Sequence, residues 1–63
     1  MVTKRFELEH CDTIGFVRIC KSYLTRLTIR KKNRNVDMVI FEGGWLTWLA
    51  VKHEMSREGI KRR

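Results

Sequence analysis

Cysteine is scarce in this sequence, and long apolar runs are missing from it. The 63 residues contain only two cysteines, Cys11 and Cys20, and no secretory leader pattern precedes them, so a disulfide scaffold is not expected. The longest apolar-rich run, residues 45–51, is far shorter than the ~20 residues that span a bilayer. We therefore expect a reduced intracellular protein, in the cytoplasm, nucleoid or nucleus, without a membrane partner.

Motifs for metal binding are also missing. The candidate metal ligands among histidines and cysteines are His10, Cys11, Cys20 and His53. They show neither a CxxC nor an HxxxH spacing, and only His10 and Cys11 are adjacent. Buried thiols and surface imidazoles are the simpler interpretation, because cysteine is often buried even when it forms no disulfide. We predict no metal and no other cofactor.

No catalytic motif stands out either. Gly43-Gly44 precedes a helical pattern, but Trp45-Leu46 follows it in place of the Lys-Ser/Thr that a phosphate-binding loop requires. Glu7 and Glu9 share one strand face without a convergent pocket, and we interpret them as partners of nearby Arg or Lys side chains. We therefore do not expect an enzyme.

Acidic residues are missing between Arg18 and Arg34, and the net charge lies in this stretch. The chain has 14 Lys and Arg against seven Asp and Glu, a net charge of +7. Outside the stretch, seven basic residues balance all seven acidic ones. Such a charge run indicates either a solvated surface without a partner or a polyanion-binding surface, above all for nucleic acid. Its cations, called here the basic segment, are Arg18, Lys21, Arg26, Arg30, Lys31, Lys32 and Arg34.

The first third of the chain predicts two strands. Residues 5–10 alternate Phe6, Leu8 and His10 with charged side chains, which is the period of a strand. Residues 1–4 are predicted to be a loose terminus. Residues 12–15 are interpreted as a turn, because Asp initiates turns and Gly accepts positive φ. A second strand is predicted for residues 16–24, with a bend or bulge at residues 22–25, where the alternation shifts.

Two further strands are predicted in the middle of the chain. In residues 25–31 the polar side chains of Arg26, Thr28 and Arg30 alternate with apolar ones, which indicates a half-buried strand with one cationic face. Residues 32–35 predict a hairpin loop, because asparagine accepts the left-handed conformation of tight turns. Residues 36–41 are apolar on both faces, which predicts a fourth strand that is covered on both sides.

The C-terminal part predicts one helix over residues 45–58 and a basic tail, expected to be frayed, over residues 59–63. Neither Gly nor Pro interrupts residues 45–57, and good helix formers dominate there. The apolar side chains cover more than half of the helix circumference, more than one sheet face can bury. Trp45 and Trp48 are interpreted as core or interface residues.

The predicted fold class is therefore α+β: a four-stranded antiparallel sheet over residues 5–41, followed by one C-terminal amphipathic helix, in a single domain of residues 1–63. A chain of this length has a marginal core, so additional stabilisation is expected. We expect a homodimer that pairs through strand 36–41 and helix 45–55.

Three segments and the final helix carry a family resemblance. The segments are Lys4-Arg5-Phe6, Gly15-Phe16-Val17-Arg18-Ile19 and Arg26-Leu27-Thr28-Ile29, and together with the aromatic-rich helix they span residues 4–58. In this order and content the chain resembles the ββββα modules of single-stranded nucleic-acid-binding proteins of the PC4, PUR-repeat and Whirly type. The resemblance implies a dimer or tandem of modules whose curved sheets bind unpaired DNA or RNA, with a role as a transcription or replication accessory.

The residues that match this role lie in and around the basic segment. Arginine suits it because its planar guanidinium grips phosphate through two hydrogen bonds and also stacks on bases. The cations at positions 18, 26 and 30 are expected on one sheet face, and those at 31, 32 and 34 on a loop. Phe16, Tyr23 and Phe41 are candidate stacking rings, with core packing as the alternative for each. The predicted nucleic-acid-binding residues are Arg18, Lys21, Tyr23, Arg26, Thr28, Arg30, Lys31, Lys32 and Arg34.

Two other function classes stay open at this point. A small accessory or virus-encoded regulator would dock on a host protein through Val39, Phe41 and the predicted helix with its two tryptophans. An exposed apolar patch would then mark the interface. A basic amphipathic helix could also act at a membrane surface. The charge balance of the helix, Lys52 and Arg57 beside Glu54 and Glu58, argues against that third alternative.

Overall fold

The protein is a three-stranded antiparallel sheet with two helices. The computed structural model describes residues 1–63. This confirms the α+β class and the antiparallel sheet, whereas the prediction of four strands and one helix is wrong. The elements in chain order are β1 (Val2–Glu9), α1 (His10–Cys20), β2 (Thr25–Lys31), β3 (Val36–Gly43) and α2 (Trp45–Arg57).

The predicted turn and second strand are in fact α1. Its buried residues are Thr13, Phe16, Ile19 and Cys20, and a spacing of three to four residues is that of one helix face. The Thr13 hydroxyl donates a hydrogen bond to the Glu9 carbonyl oxygen, four residues earlier, at 3.2 Å. Gly15 allows a close approach, because a Cβ there would lie 3.2 Å from Ile60 Cδ1.

The central strand of the sheet is β3. The strand order is β1-β3-β2, and both outer strands run antiparallel to β3. In this register Val39 lies between Phe6 of β1 and Ile29 of β2, and Ile40 lies between Arg5 and Thr28. Since β1 and β2 are parallel to each other and separated by β3, α1 joins the two outer strands of the sheet.

Both helices pack against one face of the sheet. The core joins Leu8, Val39 and Phe41 of the strands to residues of α1 and α2. The other face, called here the open face, carries the side chains of the alternate residues, and Met38 at its centre is exposed. The prediction that residues 36–41 are covered on both sides is therefore wrong for the face of Met38 and Ile40.

The apolar surface of α2 is divided. Trp48, Val51 and Met55 are buried, and the Trp48 ring lies 5.1 Å from that of Phe41 between centroids. Trp45, Leu46 and Leu49 are exposed on the outer side of the helix. The predicted helix is confirmed, with one sheet face covering only part of its apolar arc. Neither helix of the protein is long and apolar enough to cross a bilayer.

Both termini are more ordered than predicted. Val2–Glu9 is one strand, so residues 2–4 belong to the sheet. In the tail, Ile60 is buried in the core, and the Arg63 N–H donates to the Glu7 carbonyl oxygen at 2.9 Å. The predicted frayed tail instead lies along the outer edge of β1.

Candidate nucleic-acid interface

The basic segment runs through α1, β2 and the hairpin loop. Arg18 lies in the last turn of α1, and Lys21 caps the C-terminal end of that helix. Three of the cations lie in β2, and Lys32 and Arg34 lie in the loop that follows. All seven cations are exposed. The protein therefore exposes to solvent all seven cations that account for its net charge.

These cations flank the outer edge of β2 instead of sharing one sheet face. Arg26, Thr28 and Arg30 point to the open face, because their register partners Glu42, Ile40 and Met38 do so. Lys31 is an odd-numbered residue of β2, so its side chain points to the face that the helices cover. Arg18 and Lys21 lie in the helical layer, on the other side of the sheet. The predicted common face for positions 18, 26 and 30 is wrong, because residue 18 is in a helix that packs on the opposite face.

Lys21 nevertheless stays next to β2. Val17, Lys21 and Leu27 line one surface depression of about 210 Å³ between α1 and β2. Cys20 of α1 and Thr25 of β2 line the same depression. The end of α1 and the start of β2 therefore form one continuous cationic border.

The outer edge of β2 has no strand partner. The Lys32 N–H donates to the Val36 carbonyl oxygen at 3.0 Å, so even-numbered residues of β2 direct their backbone groups to β3. The odd-numbered residues, among them Leu27 and Ile29, direct their N–H and C=O groups away from the sheet. Cationic side chains and free backbone donors thus occur together on this edge.

Few carboxylates neutralise the basic segment. Lys32 is the one member in an ion pair, with its Nζ 2.5 Å from a Glu7 carboxylate oxygen. The two other ion pairs, His10 with Asp37 and Arg63 with Glu9, lie outside the segment. Glu42 is the register partner of Arg26 and moderates its potential without an ion pair. Six of the seven cations are therefore available to an external anion.

The hairpin loop is held by one asparagine. Asn33 Oδ1 accepts hydrogen bonds from the backbone N–H of Asn35 at 2.9 Å and of Val36 at 3.0 Å. This pattern is the Asx turn that favours asparagine in tight connections. It confirms the predicted loop at residues 32–35 and holds Arg34 away from the sheet.

The predicted stacking rings are mostly unavailable. Phe16 and Phe41 are fully buried in the core. Tyr23 is half-buried, and its hydroxyl donates a hydrogen bond to the Glu54 carboxylate. This bond, and to a smaller extent burial, raises the pKa of Tyr23 above its ordinary value. Tyr23 therefore joins the turn after α1 to α2 and offers only part of its ring to a ligand.

The two tryptophans, predicted together as core or interface residues, differ in exposure. Trp45 is 56% exposed, whereas Trp48 is 3% exposed. The signal was present in the width of the apolar arc of α2, since residues that exceed one sheet face must lie outside. Treating the two tryptophans as one group concealed the difference between them.

Cys20, His10 and Asp37 make contacts within the fold. Burial raises the pKa of the Cys20 thiol to about 11, and a hydrogen bond from Thr25 opposes this effect. His10 Nδ1 lies 2.9 Å from Asp37 Oδ2, and this bond, with a smaller effect of the nearby Thr13 hydroxyl, lowers the pKa of Asp37 below its ordinary value. No three His, Cys, Asp or Glu side chains come close enough together to hold a metal ion.

No protein-family model, no curated protein and no solved structure matches this chain. One of the segments behind the resemblance to the ββββα modules, residues 15–19, lies within α1.

Proposed function

We propose that this protein binds unpaired nucleic acid, DNA or RNA, with little preference for base sequence. The observation that carries the proposal is the charge segregation: all seven cations of the basic segment are exposed and only Lys32 is in an ion pair. A linear polyanion is the ligand class that such a continuous cationic border fits. The proposed ligand follows the outer edge of β2.

The residues of this edge have different roles in the proposal. Arg26 and Arg30 supply guanidinium groups that pair with phosphate oxygens in a bidentate manner. The outward N–H groups of β2 add neutral donors to the same backbone. Lys21 and Arg18 extend the border along α1, and Lys31, Lys32 and Arg34 extend it into the loop. None of these groups reads base edges, so affinity is expected to change little with sequence.

Part of the docking surface that the alternative regulator hypothesis requires is not accessible. Val39 and Phe41, two of the residues assigned to docking on a host protein, are fully buried in the core. The predicted homodimer interface loses residues for the same reason, because Val36, Trp48, Val51 and Met55 are also buried within one chain. The homodimer stays a prediction, and sedimentation at micromolar concentration tests it directly.

The proposal is tested by fluorescence anisotropy with labelled single-stranded and double-stranded oligonucleotides of mixed sequence at low and moderate salt. The informative variant is R26E/R30E. Its matched control is R5E/K52E, which changes the net charge equally at two exposed cations that form no ion pair. We expect R26E/R30E to bind single strands at least tenfold more weakly than the control.

Two results would contradict the proposal. The first is no binding of either oligonucleotide by the wild-type protein at low salt. The second is an equal loss in the two double variants, which would assign any binding to net charge and not to the β2 edge. Circular dichroism of each variant establishes that it is folded.

A further inference from the structure

The outer side of α2 carries an apolar patch that the core does not use. Trp45, Leu46 and Leu49 are 56%, 77% and 42% exposed, respectively. Trp45 and Leu49 are four residues apart, and Leu46 and Leu49 are three apart, so the three side chains are neighbours on the helix surface. No other tryptophan, phenylalanine or tyrosine of this protein is exposed. Contiguous exposed apolar side chains of this kind are typical of interaction sites.

This patch lies near the Arg26 end of β2. Arg26 and Gly44 line the same surface depression of about 400 Å³, together with Leu24, which is 95% exposed. Trp45 directly follows Gly44 and begins α2. The hairpin loop with Lys32 and Arg34 lies at the opposite end of β2. The one exposed large aromatic ring therefore lies near the end of β2 that carries Arg26.

We infer that Trp45 is a base-stacking platform for the strand that the basic segment binds, so that Trp45 gives the preference for unpaired over paired nucleic acid. The inference rests on the proposed function. When the cations bind the phosphates of a single strand, its unpaired bases can stack on the indole ring of Trp45. Every base has a π-face, so this stacking does not depend on sequence. A duplex keeps its interior bases stacked and offers only phosphates to the same cations.

Charge complementarity favours a nucleic-acid base over a second copy of the chain as the occupant of this patch. Each copy carries a net charge of +7, so two copies repel each other, whereas a polyanion is attracted to the same surface. The shape of the cationic border argues against a lipid surface. The seven residues of β2 extend the charges by roughly 20 Å along one line, which fits a linear polyanion better than a plane that touches one end.

The experiment compares W45A with L49A, a neighbouring exposed apolar residue on the same helix. Anisotropy is measured with a single-stranded oligothymidine and with a duplex of equal length. We expect W45A to weaken single-strand binding about 5- to 150-fold, the equivalent of about 1–3 kcal/mol for one stacked base. Duplex binding by W45A and single-strand binding by L49A should change less than about threefold, since neither involves the indole.

Tryptophan emission supplies a second readout. The wild-type protein should lose emission when it is saturated with oligothymidine, because a stacked base quenches the exposed indole. W45F retains only the buried Trp48, so its emission should stay constant, while its phenyl ring preserves most of the affinity. Trp48 thus serves as an internal reference.

The possible failures are distinguishable. If the wild-type protein binds no oligonucleotide, the proposed function and this inference fail together. If R26E/R30E loses binding, W45A binds like the wild type, and oligothymidine does not quench the emission of the wild-type protein, the stacking role is overturned and the proposed function stands. The stacking role is also overturned if W45A converts a dimer into a monomer in sedimentation, or if W45A loses binding to phosphatidylserine vesicles but not to oligothymidine.

Discussion

The two outer edges of the sheet differ in cover and in charge. The edge of β1 is closed by the C-terminal tail, whose Arg63 bonds to the Glu7 backbone and the Glu9 side chain. The Arg62 guanidinium lies 6.0 Å from the centroid of the Phe6 ring and adds a cation–π contact there. The edge of β2 has neither a tail nor a carboxylate of its own, and its Ile29 is exposed. One edge stabilises the fold, and the other is available to a ligand.

The cations of β2 can have two roles. Cations on a free strand oppose edge-to-edge pairing with another copy, a common protection in natural sheets. The same cations, with outward backbone donors between them, form a surface suited to phosphates. Prevention of edge-to-edge pairing alone would explain the cations of β2, but it explains neither those of α1 nor those of the loop. These additional cations favour the proposed binding of an anionic ligand.

The largest expected effect tests whether stability resides at the β1 side. Leu8 of β1 is fully buried, whereas Ile29 of β2 is 39% exposed. We expect Leu8→Ala to lower the free energy of unfolding by about 2–5 kcal/mol and Ile29→Ala to lower it by less than about 1 kcal/mol. Urea denaturation measures both. Equal losses would mean that the β2 edge is covered in solution, and the comparison of the two edges would then break down.

A second prediction concerns how binding depends on salt. Release of counterions by the six unpaired cations gives a slope of log K against log salt of up to about −4 for a single strand. R26Q/R30Q should reduce the magnitude of this slope by about 1.4, because two phosphate contacts are lost. R5Q/K52Q should leave the slope unchanged. A change of the same size in both variants would remove the distinction between β2 and the rest of the surface.

The smallest expected effect concerns Asp37 on β3, between the two edges. Its register partners are Leu8 and Lys31, and the hydrogen bond with His10, with a smaller effect of the Thr13 hydroxyl, lowers its pKa from the ordinary value of 3.8. A lowered pKa means that the fold favours the carboxylate, so this stabilisation is complete above the unfolded-state pKa. It declines as pH falls below about 5 and is lost below the folded-state pKa.

Asp37→Asn should therefore flatten the acid limb of stability. We expect the free energy of unfolding of the wild-type protein to fall more steeply than that of the variant when the pH is lowered from 5 towards 2 in steps. Parallel acid limbs would show that the contacts of Asp37 are not maintained in solution.

Local sequence patterns were sufficient to predict an element where they agreed with its surroundings in the folded protein. β2, the loop at residues 32–35 and α2 were predicted with the observed bounds or close to them, because strand alternation, Asn33 and an uninterrupted run of helix formers each act within a few residues. α1 was missed, because its residues 16–20 alternate like a strand and also fit a helix. Only the burial of Phe16 and Ile19 against the sheet selects the helix.

The candidate site was predicted in composition but not in arrangement. The sequence by itself determined that all of the net charge lies between Arg18 and Arg34, because charge is a property of residue type. The tertiary structure alone decided that these cations border both sides of the β2 edge, since Arg18 lies in a helix. It also decided that Trp45 faces solvent while Trp48 completes the core, because burial depends on which face of α2 the sheet covers.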